Sequence, residues 1–191
     1  AYAFEAGGYE MKPVLRTLFN SDFFKEAVYK RVRSPVELVV GALKLTGDMN
    51  GPDPRWGELP REQDLMGQII LDPPSVEGWH TGREWINSGA FINRVNFVSK
   101  RVSDIGLPGV KEIVQRIAAS NGVAMSPASM VEECLDQMGP LIVSDRTMSE
   151  LVEQAESDGP LSWDTDRGYE TSSRRIADTL ALIAGTREFQ F

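Results

Sequence analysis

The 191-residue chain holds one cysteine, Cys134, and one histidine, His80. A single thiol excludes an internal disulfide and any metal site built from several cysteines. A single imidazole leaves no histidine pair for a metal. Neither a glycine-rich phosphate cradle nor a Gly-x-Ser-x-Gly elbow occurs, and no apolar run approaches the ~18 residues needed to cross a bilayer. Cys134 sits beside Glu132, Glu133 and Leu135 with no basic neighbour to lower its pKa. It reads as a half-buried apolar residue rather than a reactive thiol. There is no initiator Met, and the opening AYAFEAGGYE reads as the tail of one helix and a Gly-Gly turn before another. The chain is therefore expected to be a fragment of a longer protein, in which the lack of a signal peptide carries no information.

Charge is unevenly placed. Residues 1–101 carry 13 basic and 13 acidic residues, whereas residues 102–191 carry 7 and 15, so the whole net charge of −8 lies in the second part. Over 130–170 the count is 2 basic against 11 acidic. Such a surface repels phosphate backbones and argues against nucleic-acid binding. An acidic polar stretch is most simply a solvated face. The length suits a single helical domain over 1–191, with 103–191 as its acidic subregion.

What the chain does hold is helical periodicity. Segments near 11–19, 35–46, 60–70, 82–102, 108–119, 127–138, 146–156 and 170–185 read as helices. Ser34-Pro35 with Glu37 is a capping box with proline in the first turn, and Ser126-Pro127 repeats the device. Val36, Val39, Val40 and Leu43 follow the i, i+3, i+4, i+7 pattern of a buried helix face. Strand-like sequence is scarce, and only Pro140-Leu141-Ile142-Val143 could be extended. Two segments echo one another: Leu15–Phe23 and Ala181–Phe189 each run helix, Ser or Thr, acid, Phe. The fold class expected is all-α, an irregular multi-helix bundle with long Pro/Gly-rich loops around a central helix at about 82–102.

The densest information lies between Leu71 and Phe97, which holds two of the four tryptophans and the histidine. Pro73 and Pro74 stop any preceding helix. Gly78 and Gly82 suit positive φ or close backbone approach. Thr81 with Glu84 forms a second capping box, which makes His80 and Trp85 a staple-like pair across the helix start. On one helix from there, Trp85, Phe91, Ile92, Val95, Val98 and Val102 share a broad face, with Ile86, Ala90 and Phe97 on a second stripe. Arg94 falls between the two, where a buried guanidinium needs a carboxylate or several carbonyls. Trp79 and Trp85 read as core side chains before they read as a sugar platform. His80 could act as a general base only if another segment supplied its partner.

Two loops have fragments of a calcium pattern. Asp48 and Asn50 alternate correctly, but the glycine and terminal Glu are misplaced. Asp164, Asp166 and Gly168 come closer, yet the glycine is one position early and Arg175 stands where a bidentate Glu belongs. Asp164, Asp166 and His80 are thus weak ligand candidates, and neither a metal nor a cofactor is expected.

Several of these residues recur together in a known family. Gly78-Trp79, Gly82, Trp85-Ile86, Arg94 and Asn96-Phe97, preceded by Met66-Gly67-Gln68 and Pro73-Pro74, resemble the C-terminal part of the bacterial domain of unknown function 1800. Arg33-Ser34-Pro35-Val36-Glu37 resembles its Lys-Ser-Pro-Val-Glu segment, with Arg in place of Lys, and Glu188-Phe189-Gln190 resembles its ending. Between about 102 and 171 little matches. The resemblance implies helical, exported or periplasmic bacterial proteins, often encoded beside a sulfatase-like family, with a larger N-terminal portion absent here. Since this chain has no self-sufficient catalytic constellation, the expected role is a non-catalytic scaffold or protein-interaction domain. The alternative is the C-terminal part of an exported enzyme whose site, with His80, Arg94 or Glu84, is completed by the missing portion.

Overall fold

The computed structural model describes residues 1–27, 30–49, 51–120, 122 and 124–191. Asn50, one half of the first calcium-like pattern, lies outside them. The fold is all-α: eleven α-helices and a single pair of two-residue strands are found among the described residues. The chain divides into two compact units, Ala1–Arg31 with Phe191, and Val32–Gln190.

The first unit carries α1 (Tyr2–Ala6), α2 (Met11–Asn20) and α3 (Asp22–Lys25), and none of the three buries a residue. Met11, Val14, Leu15, Leu18 and Phe19 recur along α2 at the spacing of one helix face. Ring pairs hold the unit locally, Phe4 with Tyr9 at 5.4 Å and Phe19 with Phe24 at 5.1 Å between centroids, both edge to face.

The second unit carries α4 (Pro35–Thr46), α5 (Leu59–Leu65), α6 (Ser88–Val102), α7 (Pro108–Ser120), α8 (Pro127–Met138), α9 (Asp145–Glu156), α10 (Asp166–Gly185) and α11 (Arg187–Gln190). Local chemistry sets most of their starts. Ser34 N–H donates to the Glu37 carboxylate at 2.8 Å, completing the expected box. Ser126, Ser144 and Thr165 each accept a first-turn N–H, from Ser129, Thr147 and Gly168 at 3.2, 3.2 and 3.0 Å. The Thr165 cap explains why α10 begins at Asp166, four residues before the sequence suggested. The core lies where α10 packs on α6, α8 and α9, and α4 on α6 and α7. Its buried members include Leu38, Leu43, Val98, Ile113, Ile176, Leu180 and Ile183.

The expected central helix over 82–102 needs correction. The Thr81–Glu84 box does form, with Thr81 N–H donating to the Glu84 carboxylate at 3.1 Å, but it starts only a 3-10 turn, Gly82–Trp85. Asn87 then caps a separate helix, α6, its side-chain oxygen accepting from Ala90 N–H at 2.9 Å. A strong N-cap followed by Ser88-Gly89, both poor helix formers, wins over continuation. The restart changes the buried face, which is Ala90, Arg94, Phe97, Val98 and Val102 in one stripe. Ile92, placed inside by the continuous register, is 58% exposed. The centre of the unit is shared, with α10 contributing more buried residues than α6.

Two smaller expectations also change. The helix near 60–70 stops at Leu65, because Met66 and Gln68 N–H both turn back to the Gln63 carbonyl, at 3.1 and 2.9 Å. Pro73-Pro74 therefore stops nothing. Residues 140–143 are irregular; the strands are β1 (Ala124–Met125) and β2 (Leu161–Ser162), paired antiparallel.

Candidate functional site

Three of the segments that carry the sequence resemblance, those of Arg33, Arg94 and Gln190, meet at one side chain. Arg94, in the middle of α6, is completely buried. Its Nε donates to Gln190 Oε1 at 3.1 Å, one Nη to the Arg33 carbonyl at 2.9 Å and the other to the Gln190 carbonyl at 3.3 Å. Gln190 Nε2 in turn donates to the Ala184 carbonyl at 2.7 Å. Arg33 lies over the Phe189 ring, 4.3 Å from its centroid, and donates to the Phe189 carbonyl. Beside them Val36 N–H donates to Gln68 Oε1 at 3.0 Å.

The planar fork of Arg94 thus ties the entry of α4 to the chain end at α11, two places far apart in sequence. Among the described residues no carboxylate is paired with it. Burial, with the like charge of Arg33 adding, pushes the Arg94 pKa down to about 10, still far above neutrality. Carbonyls and an amide disperse its charge without neutralising it. Burial lowers Arg33 as well, against the opposing pull of Glu37. Of this junction the residue pattern alone singled out Arg94. Its other members Arg33, Gln68, Phe189 and Gln190 look ordinary in their own segments, and their presence in the recurring motifs was the available signal.

The corner ahead of α6 is looser than its sequence suggested. Trp85 is buried, while Trp79 is half-buried, its indole N–H donating to the Ile69 carbonyl at 2.9 Å. Gly78 and Gly82 take φ of 100° and 59°, the left-handed values that favour glycine. Pro73 and Pro74 are exposed loop residues. His80 is exposed; its ring meets the Trp85 ring edge to face at 6.4 Å, and Nδ1 is 3.7 Å from the equally exposed Glu84 carboxylate. Phe97 is buried beneath the Arg101 guanidinium, 3.7 Å from the ring centroid. Asn96 is exposed, and nothing in the structure explains it.

The described acidic residues of the two calcium-like loops have other partners or places. Asp48 is held by Arg55 at 3.1 Å and lies 3.6 Å from Arg101. Asp164 accepts from Ser162 Oγ, and Asp166 is already the first residue of α10, so the ligand positions after it are wound into a helix. Arg175 donates to the carbonyls of Ala155, Gly159 and Pro160 at 3.0, 2.7 and 3.3 Å, closing the end of α9. Among the described residues no group of three or more His, Cys, Asp or Glu side chains is placed to share a metal. Cys134 is wholly rather than half-buried, and burial, with Glu133 adding, pushes its thiol up to about 12.

Two clefts occur elsewhere. One, of about 590 Å³, lies at the start of α10 and is lined by Asp158, Ser162, Thr165, Arg167, Ser172 and Arg175. The second, of about 320 Å³, lies between α7 and α10 beside Lys111, Asp166, Tyr169 and Glu170. Neither is lined by His80, Glu84 or Arg94. No helix among the described residues is long and apolar enough to cross a membrane.

Fold and junction together define an all-α domain locked by a buried arginine. Over residues 1–191 the chain matches the family described as protein of unknown function (DUF1800), and it belongs to that family. No curated protein and no solved structure matches it.

Proposed function

We propose that this chain is a non-catalytic helical scaffold that works by binding another protein. One observation carries the reading: the unusual polar residue of the motif block, Arg94, is completely buried and bonded to backbone carbonyls and an amide inside the fold, out of a substrate's reach. Location outside the cytoplasm, as the resemblance implies, fits a domain whose one thiol is buried and inert.

The rival reading is a contribution to an enzyme site completed by another part of a longer protein. The exposed His80 and Glu84, 3.7 Å apart, are what favours it. The two separate on paired variants assayed in the longest natural form of the protein. Under the scaffold reading Arg94→Ala lowers the melting temperature, while His80→Ala and Glu84→Gln leave both folding and any measurable hydrolytic activity intact. Selective loss of activity in a stably folded His80→Ala protein decides for the enzyme.

A further inference from the structure

The loop between α5 and the 3-10 turn at Gly82 holds large apolar side chains out of the core. Leu65, Ile69, Ile70, Leu71, Val76 and, from α6, Ile92 are all exposed, Leu71 at 90%. Hydrogen bonds tie the loop to α6 and to its own turns. Asn93, next to Ile92, donates to the Leu65 carbonyl at 2.9 Å, and the Trp79 indole donates to the Ile69 carbonyl. Asp72 N–H closes a turn onto that same Ile69 carbonyl at 3.2 Å. Leu71 occupies the third position of the turn with φ of 67°, a place usually given to glycine or asparagine. Val76 projects from a second tight turn, bridged between Ser75 and Gly78. Two tight turns thus present apolar residues to water, the first pinned by Trp79 and held at a cost in backbone strain.

The rim sets the partner's chemistry. Residues 58–87 carry six acidic and two basic residues, a net of −4, whereas the rest of residues 1–101 carries a net of +4. Asp64, Asp72 and Glu77 are exposed beside the apolar residues, with Arg61 and Arg83 as the two cations. An anionic lipid surface is repelled by such a rim, whereas a helix with an apolar stripe flanked by Lys or Arg matches both features. Building on the scaffold reading, we infer that this patch docks a basic amphipathic helix of a partner protein.

The test is a titration of the whole chain with a synthetic leucine–lysine amphipathic helix of about 18 residues. Three comparisons accompany it: the same peptide with Glu for Lys, phosphatidylserine vesicles, and patch variants. Leu71→Gly relieves the strained turn and is expected to fold at least as stably; together with Ile92→Ser it should weaken the lysine peptide by about tenfold or more. Ile142→Ser, an equally exposed site outside the patch, should not. Equal binding by all variants would place the peptide on the acidic second half and overturn the inference. Absent binding, indifference to Lys against Glu, or patch-dependent vesicle binding would overturn it too. None of these outcomes bears on the His80 assay, so this inference and the scaffold reading fail separately.

Discussion

The same local device is used twice in this chain with opposite results. In α2–α3 and again in α10–α11, a helix ends at a hydroxyl residue in extended conformation, Ser21 (φ −71°, ψ 146°) and Thr186 (φ −69°, ψ 155°), and a four-residue helix follows. The hydroxyl donates to the carbonyl three residues back in each, at 2.6 and 2.7 Å. Two residues after Ser21, Phe23 is 67% exposed; three after Thr186, Phe189 is 5% exposed. The bend is written locally, but burial depends on what waits beyond it. After Thr186 the chain meets Arg33, Arg94 and the start of α9. In the first unit α3 buries nothing.

The largest expected consequence is at Phe189. Truncation to alanine empties a core site beneath Arg33 and should cost ~3–5 kcal/mol by urea denaturation. Arg94→Ala follows closely. It leaves the Gln190 amide and two carbonyls without their donor, for a loss of ~3 kcal/mol. Arg94→Lys should rescue little, since one ammonium cannot reproduce the fork that reaches both Arg33 and Gln190. A lysine variant of wild-type stability would show that charge alone, not geometry, holds the junction.

Glu188 gives a smaller effect with a pH signature. Its burial raises the carboxyl pKa, but hydrogen bonds from backbone N–H groups, Ser144 among them, and from the Thr147 hydroxyl outweigh this and hold it below the usual carboxylate range. The folded state therefore binds this proton less readily than the unfolded chain, whose Glu titrates near ~4.3. The contribution is full above that value and is lost as pH falls through the folded pKa. Glu188→Gln should lower stability near neutrality and flatten its fall on acidification; an unchanged slope would exclude Glu188 as a source. Next comes Thr186→Ala, at about 1 kcal/mol, because Thr186 Oγ1 also accepts from Phe189 N–H at 3.3 Å. Ser21 makes no such cap, so Ser21→Ala should do less.

What the sequence made legible follows the same division between local and distant. The helix starts at Ser34, Ser126 and Gly82, and the bends at Ser21 and Thr186, depend on residues within a few positions of one another. Five of the eight helices were placed within a residue at both ends on that basis, α2, α4, α7, α8 and α9. The restart at Asn87 was missed because two adequate caps lie six residues apart, and the second, followed by the poor helix formers Ser88 and Gly89, opens the long helix. Ile92 went to the wrong side as a direct result. At the site, burial of Arg94 was readable from its neighbours on the helix, but its partners come from 61 and 96 residues away. No periodicity reports contacts across such distances. Asp164 and Asp166 show the converse, a ligand-like spacing that the Thr165 cap winds into α10.

The smallest expected effect is also the cleanest check on the comparison. Phe23 repeats the motif of Phe189 without its burial, so Phe23→Ala should change stability by less than about 0.5 kcal/mol, as exposed substitutions do. Phe24 is the partner of Phe19 in the ring pair, at 5.1 Å, so Phe23 is not needed for that contact. Measured beside Phe189→Ala in one denaturant series, the pair shows what distant contacts add to a similar local bend. A comparable loss at both phenylalanines would mean that the first unit encloses its aromatic face after all, and that the two bends are equivalent.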